Sequence, residues 1–190
     1  DTIVIGPGLY YEHIDAAGKA LTFIGREGRE NTILDGSRPF AGDGGSIIYT
    51  SYIDSAPGPI SVSGLTLQHG QGAGPRVSGG AILVPGDVFY RGSLHAQDCS
   101  FLDNDVGEGD SGNEGGAISV SYGDVQIQNC VFRGNNAHWG DAIDATFGSI
   151  TIVGCEIDLG VTGHSTGVGL EFMASVRIEA CIIKIGRAHV

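Results

Sequence analysis

Five stretches of the chain lay their apolar residues on one shared frame: ISVSGLTLQHG (60–70), LHAQDCSFLDN (94–104), VQIQNCVFRGN (125–135), ITIVGCEIDLG (150–160) and VRIEACIIKIG (176–186). Positions one, three, six and eight are apolar or small in each. The first column runs Ile60, Leu94, Val125, Ile150, Val176; the sixth runs Leu65, Cys99, Cys130, Cys155, Cys181; the eighth runs Leu67, Phe101, Phe132, Ile157, Ile183. A recurrence of this kind governs the fold more than any local propensity, because each unit can bury its apolar side only against the next. Alternation with period two means strand. The residue that interrupts it (Gly64, Asp98, Asn129, Gly154) belongs to the types that tolerate a left-handed bend. Each unit therefore reads as two short strands meeting at a corner, with apolar side chains inward on both.

A third strand precedes each unit: IIYT (47–50), GGAILV (79–84), GGAISV (115–120), GDAIDA (140–145) and GVGLEF (167–172), with Ile48, Ile82, Ile118, Ile143 and Leu170 as the expected inward column. The cysteines stand at positions 99, 130, 155 and 181, and an inserted loop lengthens the first interval. Three short strands per coil, with a coil length of about 25 residues, suit a solenoid repeat. They predict an all-β, right-handed parallel β-helix, one domain over residues 1–190. A left-handed hexapeptide helix would need a strict beat of six, which the chain lacks.

Composition agrees. The chain has 33 glycines and 41% hydrophobic residues, which suits many tight turns between β-branched runs. A net charge of −12 leaves no basic stripe for phosphates or anionic lipid, so nucleic acid is excluded as a partner and membrane insertion by this segment is not expected. The chain opens at Asp1 within an apolar run, and its final stretch, IGRAHV, matches a translated sequencing adapter. It is therefore expected to be a fragment open at both ends, with 185–190 non-native.

The cysteine column predicts four buried free thiols, stacked at the rung spacing of about 4.8 Å. No cysteine has a partner two to four positions away, the spacing a zinc site favours. Asn104 and Asn135 each stand five positions after a cysteine and should bond backbone of the adjacent coil from a turn.

GGAI at 79–82 and 115–118, with FLDN (101–104) and FRGN (132–135), resembles the GGAI and F-x-x-N repeats of polymorphic outer membrane proteins, within the pectin-lyase-like superfamily. Residues 1–37 look like the opening coils of bacterial secreted or surface β-helix proteins. GDAI and GVGL depart from the pattern in the last coils. The resemblance implies architecture and an extracellular or cell-surface, outer membrane-associated location; it implies no single activity, because that superfamily holds lyases, hydrolases and non-catalytic adhesins.

Candidate chemistry gathers on one flank. The outward column of the third strand is expected to run Tyr49, Leu83, Ser119, Asp144, Glu171, and a second column upstream to run Ser78, Glu114, Trp139, Thr166. Asp144, Glu171 and Asp141 are the catalytic candidates, since paired carboxylates at suitable separation perform glycoside hydrolysis. Trp139, His138 and Glu114 are the ligand-binding candidates, an exposed indole being able to stack on a sugar. The acidic insert offers Asp103, Asp105, Glu108, Asp110 and Glu114 as oxygen ligands for Ca2+, although the EF-hand pattern fails at its fifth and sixth positions. Polygalacturonase motifs are absent and the ten basic residues are not clustered, which disfavours acidic-pectin chemistry. Two functions follow as expectations: a non-catalytic surface scaffold or passenger that binds polysaccharide or host glycan, and, as the alternative, a polysaccharide lyase or glycoside hydrolase. Ice binding would need regular threonine files, and the outward column Ser61, His95, Gln126, Thr151, Arg177 is mixed.

Overall fold

The computed structural model describes residues 1–38, 44–51, 57–73, 78–107, 113–159 and 167–185. All but the first residue of the expected non-native tail, 185–190, lies outside the described residues. Short strands make up three parallel sheets and one small antiparallel pair, Gly44–Gly45 with Gly72–Ala73, and the described residues contain no helix. The first sheet stacks Thr2–Ile5, Leu21–Gly25, Ile60–Ser63, Ser93–Gln97, Asp124–Gln128, Ser149–Val153 and Ser175–Glu179. The second stacks Gly8–Tyr10, Thr32–Asp35, Thr66–Gln68, Ser100–Leu102, Val131–Arg133, Glu156–Leu159 and Ile182–Ile185. The third stacks Ile14–Asp15, Ile48–Tyr49, Ile82–Val84, Ile118–Ser121, Ile143–Thr146 and Val168–Glu171. The chain visits first, second and third sheet in turn, one strand each per coil. This is a parallel β-helix, and the arrangement fits the right-handed form.

Register follows the sequence columns. Ile60, Leu94, Val125, Ile150 and Val176 pair in succession, and Leu21 precedes them. The coil repeat varies more than the cysteine spacing predicts. Leu21 pairs directly with Ile60 and Val125 directly with Ile150, so the earlier coil is more than half as long again as the later one. The three sheets tolerate this because lengthening a corner costs little.

The corner between first and second sheets is built as the frame requires. Gly64, Asp98, Asn129 and Gly154 all lie in the left-handed region, with φ of 62°, 52°, 53° and 66°. Ala180 takes the same conformation in the last coil. Inward files fill the interior: Phe23, Val62, Ala96, Ile127 and Ile152 are buried, and Phe101 and Phe132 stack with centroids 4.8 Å apart and planes within 9°. That separation is the rung spacing expressed by side chains. All four cysteines are free; Cys99, Cys130 and Cys155 are buried and Cys181 is half-buried. The Cys130 amide points at the Cys155 sulfur at 3.4 Å, and the Cys99 and Cys130 thiols are hydrogen-bonded, so these three form one inward file, while the Cys181 sulfur turns to the Ile152 and Glu179 carbonyls.

Two asparagines tie the second-to-third corner together. Asn104 Oδ1 accepts from the Gly70 amide at 2.9 Å, and its Nδ2 donates to Leu67 O and to Asn135 Oδ1. Asn135 Nδ2 donates to Phe101 O at 3.0 Å. Each side chain thus replaces ladder bonds that the turn cannot make, in a place water does not reach. Arg29 adds a longer strap, donating from Nη1 to the carbonyls of Cys99 and Asn129 at 3.3 and 3.0 Å.

The third sheet corrects one sequence expectation. Ile143 pairs with Val168, and Leu170 stacks on Ala145 instead. The last coil is therefore shifted by two positions from the GVGL alignment. Both Val168 and Leu170 have inward parity, so alternation alone cannot choose between the two registers.

Asn104→Ala should lower stability by about 3 kcal/mol, because it takes the side-chain partner from the buried Gly70 amide and Leu67 carbonyl of the preceding coil and breaks the bond to Asn135 Oδ1 in the next. Gln126→Ala, on the outward face of the first sheet, should change it by less than about 0.5 kcal/mol. Urea midpoints at unchanged m-value measure both, and equal losses would refute the role given to the amide file.

Candidate functional site

The third sheet positions the site. Before each of three of its strands the chain makes a sharp turn through a glycine in the left-handed region: Gly79, Gly115 and Gly140, with φ of 60°, 65° and 63°. These turns fold back over the outer face of their own strands. A Cβ on Gly140 would lie 3.1 Å from the Asp144 Cβ, and one on Gly115 would lie 2.9 Å from the Ser119 Cβ. Asp144 and Ser119, outward by parity, are consequently buried, Asp144 to 4% exposure. The sequence placed Asp144 on the correct face but could not show that a Cβ-less turn roofs it.

Glu114 and Trp139 pair across an isolated parallel bridge, the Gly115 amide donating to Trp139 O at 2.9 Å. The expected upstream column therefore exists over these coils; its Thr166 lies outside the described residues. Trp139 is 44% exposed and meets His138 edge-on at 5.4 Å. Glu171 is exposed and pairs with Thr146, while Gly169 takes the place beside Asp144 that the sequence assigned to Glu171. The carboxylate still acts on Asp144 through space. Burial pushes the Asp144 carboxyl up to about 7, and the negative charges of Glu114 and Glu171 push in the same direction. Asp141 has a different task. It is buried, and its Oδ1 accepts from the Ala137 amide at 3.0 Å, closing the turn beneath Trp139.

Glu114, His138, Trp139, Asp144 and Glu171 thus come together, with Asp141 bracing their turn. The calcium candidates do not converge to the same degree. Asp105 Oδ1 accepts from the Gly107 amide and from Asn136 Nδ2, a bonded turn of its own. Asp103 lies over the Gly134 backbone, where a Cβ would meet its Oδ1 at 2.1 Å. Glu108 and Asp110 fall outside the described residues. Among the described residues no group of three or more His, Cys, Asp or Glu side chains is disposed to hold a metal ion.

A third buried carboxyl, Asp35, escaped the sequence reading. Asp35 accepts from the Ser37 amide at 2.8 Å and from Gln68 Nε2 at 2.7 Å, with His69 Nδ1 3.1 Å away. Burial alone would raise its pKa, but the hydrogen bonds from Ser37, Gln68 and His69 outweigh that and hold it at about 2. The available signal was register, since Asp35, Gln68 and the residue after Gln68 share one corner of the second sheet.

Nor did the sequence reading single out Tyr122, Phe147 and Phe172, which stack at the third-to-first corner with centroids 4.4 and 4.9 Å apart. The signal was present as aromatic residues evenly spaced at 122, 147 and 172, each after the third strand. No protein-family model matches the chain, and no curated protein or solved structure matches it.

The two aspartates give opposite pH limbs. Asp35, depressed in the fold, stabilises above its unfolded pKa near 4, and that stability is lost as pH falls through about 2. Asp144, raised in the fold, favours the folded state most below its unfolded pKa near 4, and the advantage is lost as pH rises through about 7. Asp144→Asn should therefore raise stability at pH 8, by an amount on the order of a few kcal/mol, and should not raise it at pH 4. Thermal melts across that range test this; the same increment at both pH values would refute the burial of an ionising carboxyl.

Proposed function

We propose that this chain is part of an extracellular or cell-surface β-helix scaffold, of the polymorphic outer membrane protein type within the pectin-lyase-like superfamily, that binds neutral polysaccharide on the flank around Trp139. The observation that carries this reading is an indole 44% exposed on a rigid turn, with His138 against its edge and Glu114 paired beside it. Aromatic rings exposed on a fixed frame present an apolar face to a sugar, while carboxylates accept its hydroxyl hydrogens. The local negative charges of Glu114 and Glu171 on this flank repel uronates, so the ligand class is neutral. The GGAI and F-x-x-N repeats are the sequence resemblance from which the family and surface reading is drawn.

One observation favours the enzymatic alternative, a glycoside hydrolase or polysaccharide lyase. Asp144, raised to about 7, would hold a proton near neutral pH as a general acid does. Its 4% exposure weighs against direct contact with substrate and in favour of a scaffold.

Titration calorimetry against a panel of neutral polysaccharides should find binding that weakens at least about tenfold in Trp139→Ala, a loss of about 1.4 kcal/mol. Asp144→Asn should leave binding intact. Release of reducing ends or unsaturated products that stops in Asp144→Asn would replace the scaffold by the enzyme. Failure of every glycan to bind would refute both.

A further inference from the structure

In two successive coils the third-to-first corner is a tight turn of two: Tyr122–Gly123 separates Ile118–Ser121 from Asp124–Gln128, and Phe147–Gly148 separates the next pair of strands. Close approach dictates the glycines, since a Cβ on Gly148 would sit 1.7 Å from Gly123 O. The aromatic residues are not dictated in this way. Tyr122, Phe147 and Phe172 have φ of 52°, 55° and 51°, a region in which a bulky side chain costs on the order of 1–3 kcal/mol. Stacking returns part of this, about 0.5–1.5 kcal/mol for each ring pair. Three strained aromatic residues in register make a continuous column on the outside of the barrel.

One coil earlier the same corner is expanded. Between Ile82–Val84 and Ser93–Gln97 the chain runs through residues 85–92, and Asp87 holds that loop by accepting from the amides of Phe89 and Tyr90 at 2.7 and 2.9 Å. The loop stands beside the aromatic column and borders an open slot of about 220 Å³, lined by Val88, Arg91, Tyr122, Phe147, Phe172 and Ala174. The volume lies below the range of roughly 300–1,000 Å³ usual for drug-sized ligands and suits a single ring.

The chemistry of the walls narrows the occupant. Phe147 has Tyr122 on one face and Phe172 on the other, so its 38% exposure is through the ring edge. Ring edges carry the positive rim of the aromatic quadrupole and pack well against the face of another ring. Arg91 adds a full positive charge, and among the described residues it forms no ion pair or side-chain hydrogen bond. A guanidinium fork of this kind takes a carboxylate in bidentate fashion. We propose that the slot is a binding site for a single-ring aromatic carboxylate, its ring against Phe147 and Phe172 and its carboxylate on Arg91. The site is independent of the glycan flank and uses none of its residues.

Benzoate, with benzamide as its uncharged counterpart, tests the assignment by ¹H–¹⁵N shift mapping and titration. Benzoate should bind at least fivefold more tightly than benzamide, with shifts centred on residues 88–91, 122–123 and 147–148. Arg91→Gln should abolish the fivefold preference while leaving the melting temperature unchanged. Phe147→Leu, which keeps an apolar side chain at the corner, should weaken both ligands. Equal affinity for the two probes in the unaltered protein, shifts centred elsewhere, or an undiminished preference in Arg91→Gln would overturn the proposal.

Discussion

Everything in this protein depends on in-register stacking of one coil on the next. A strand with parallel neighbours on both sides has its backbone groups paired and each inward side chain set above its equivalent. The file is then the structural unit: Ile60 with Leu94, Val125 and Ile150, or Phe101 on Phe132, each rung sealing the one before it. The same rule explains polar files. Asn104 and Asn135 are tolerated in the interior because each satisfies the other and the carbonyl one coil away. It explains the thiols too. The hydrogen bond with Cys130 and burial both push the Cys155 thiol up, which keeps it protonated and unreactive.

Stacking also determines where variation can enter. Residues inserted within a strand would displace every file above, whereas residues inserted at a corner displace nothing. The coil that carries Leu21 to Ile60 is much longer than the coil that carries Val125 to Ile150, yet their first-sheet strands belong to one continuous sheet. Loops at corners are thus the free material of this fold, and both sites lie at corners of the third sheet, carried on rigid strands.

The files were legible in the sequence because the strand period and the coil period act on the same residues. Gly64, Asp98, Asn129 and Gly154 could be assigned to a left-handed corner from residue type alone. Three features could not be read. The shift that pairs Ile143 with Val168 preserves parity, so the apolar pattern is indifferent to it. The burial of Asp144 comes from a turn lying over its own strand, a consequence of φ at Gly140 that no residue type announces. Asp35 meets His69 only through second-sheet register, one coil away in the chain. Columns sought among inward positions also pass over Tyr122, Phe147 and Phe172, which stack with equal regularity on the outside.

The two candidate sites meet in a single coil. Trp139 enters the strand Ile143–Thr146 at one end and Phe147 leaves it at the other, so that strand sets the distance between them. They are nonetheless held by different means. Trp139 is held by its bridge to Glu114 and by the turn that Asp141 closes, whereas Phe147 is held by rings above and below. A residue added between 134 and 142 would displace the indole and unroof Asp144 without moving the aromatic column. A residue added between 85 and 92 would open the slot without reaching the indole. Because the strand between them is bonded to both neighbours, strain at one edge reaches the other only by breaking register across the sheet. The solenoid therefore allows the two edges to change separately, which is the physical reason to assign them separate ligands.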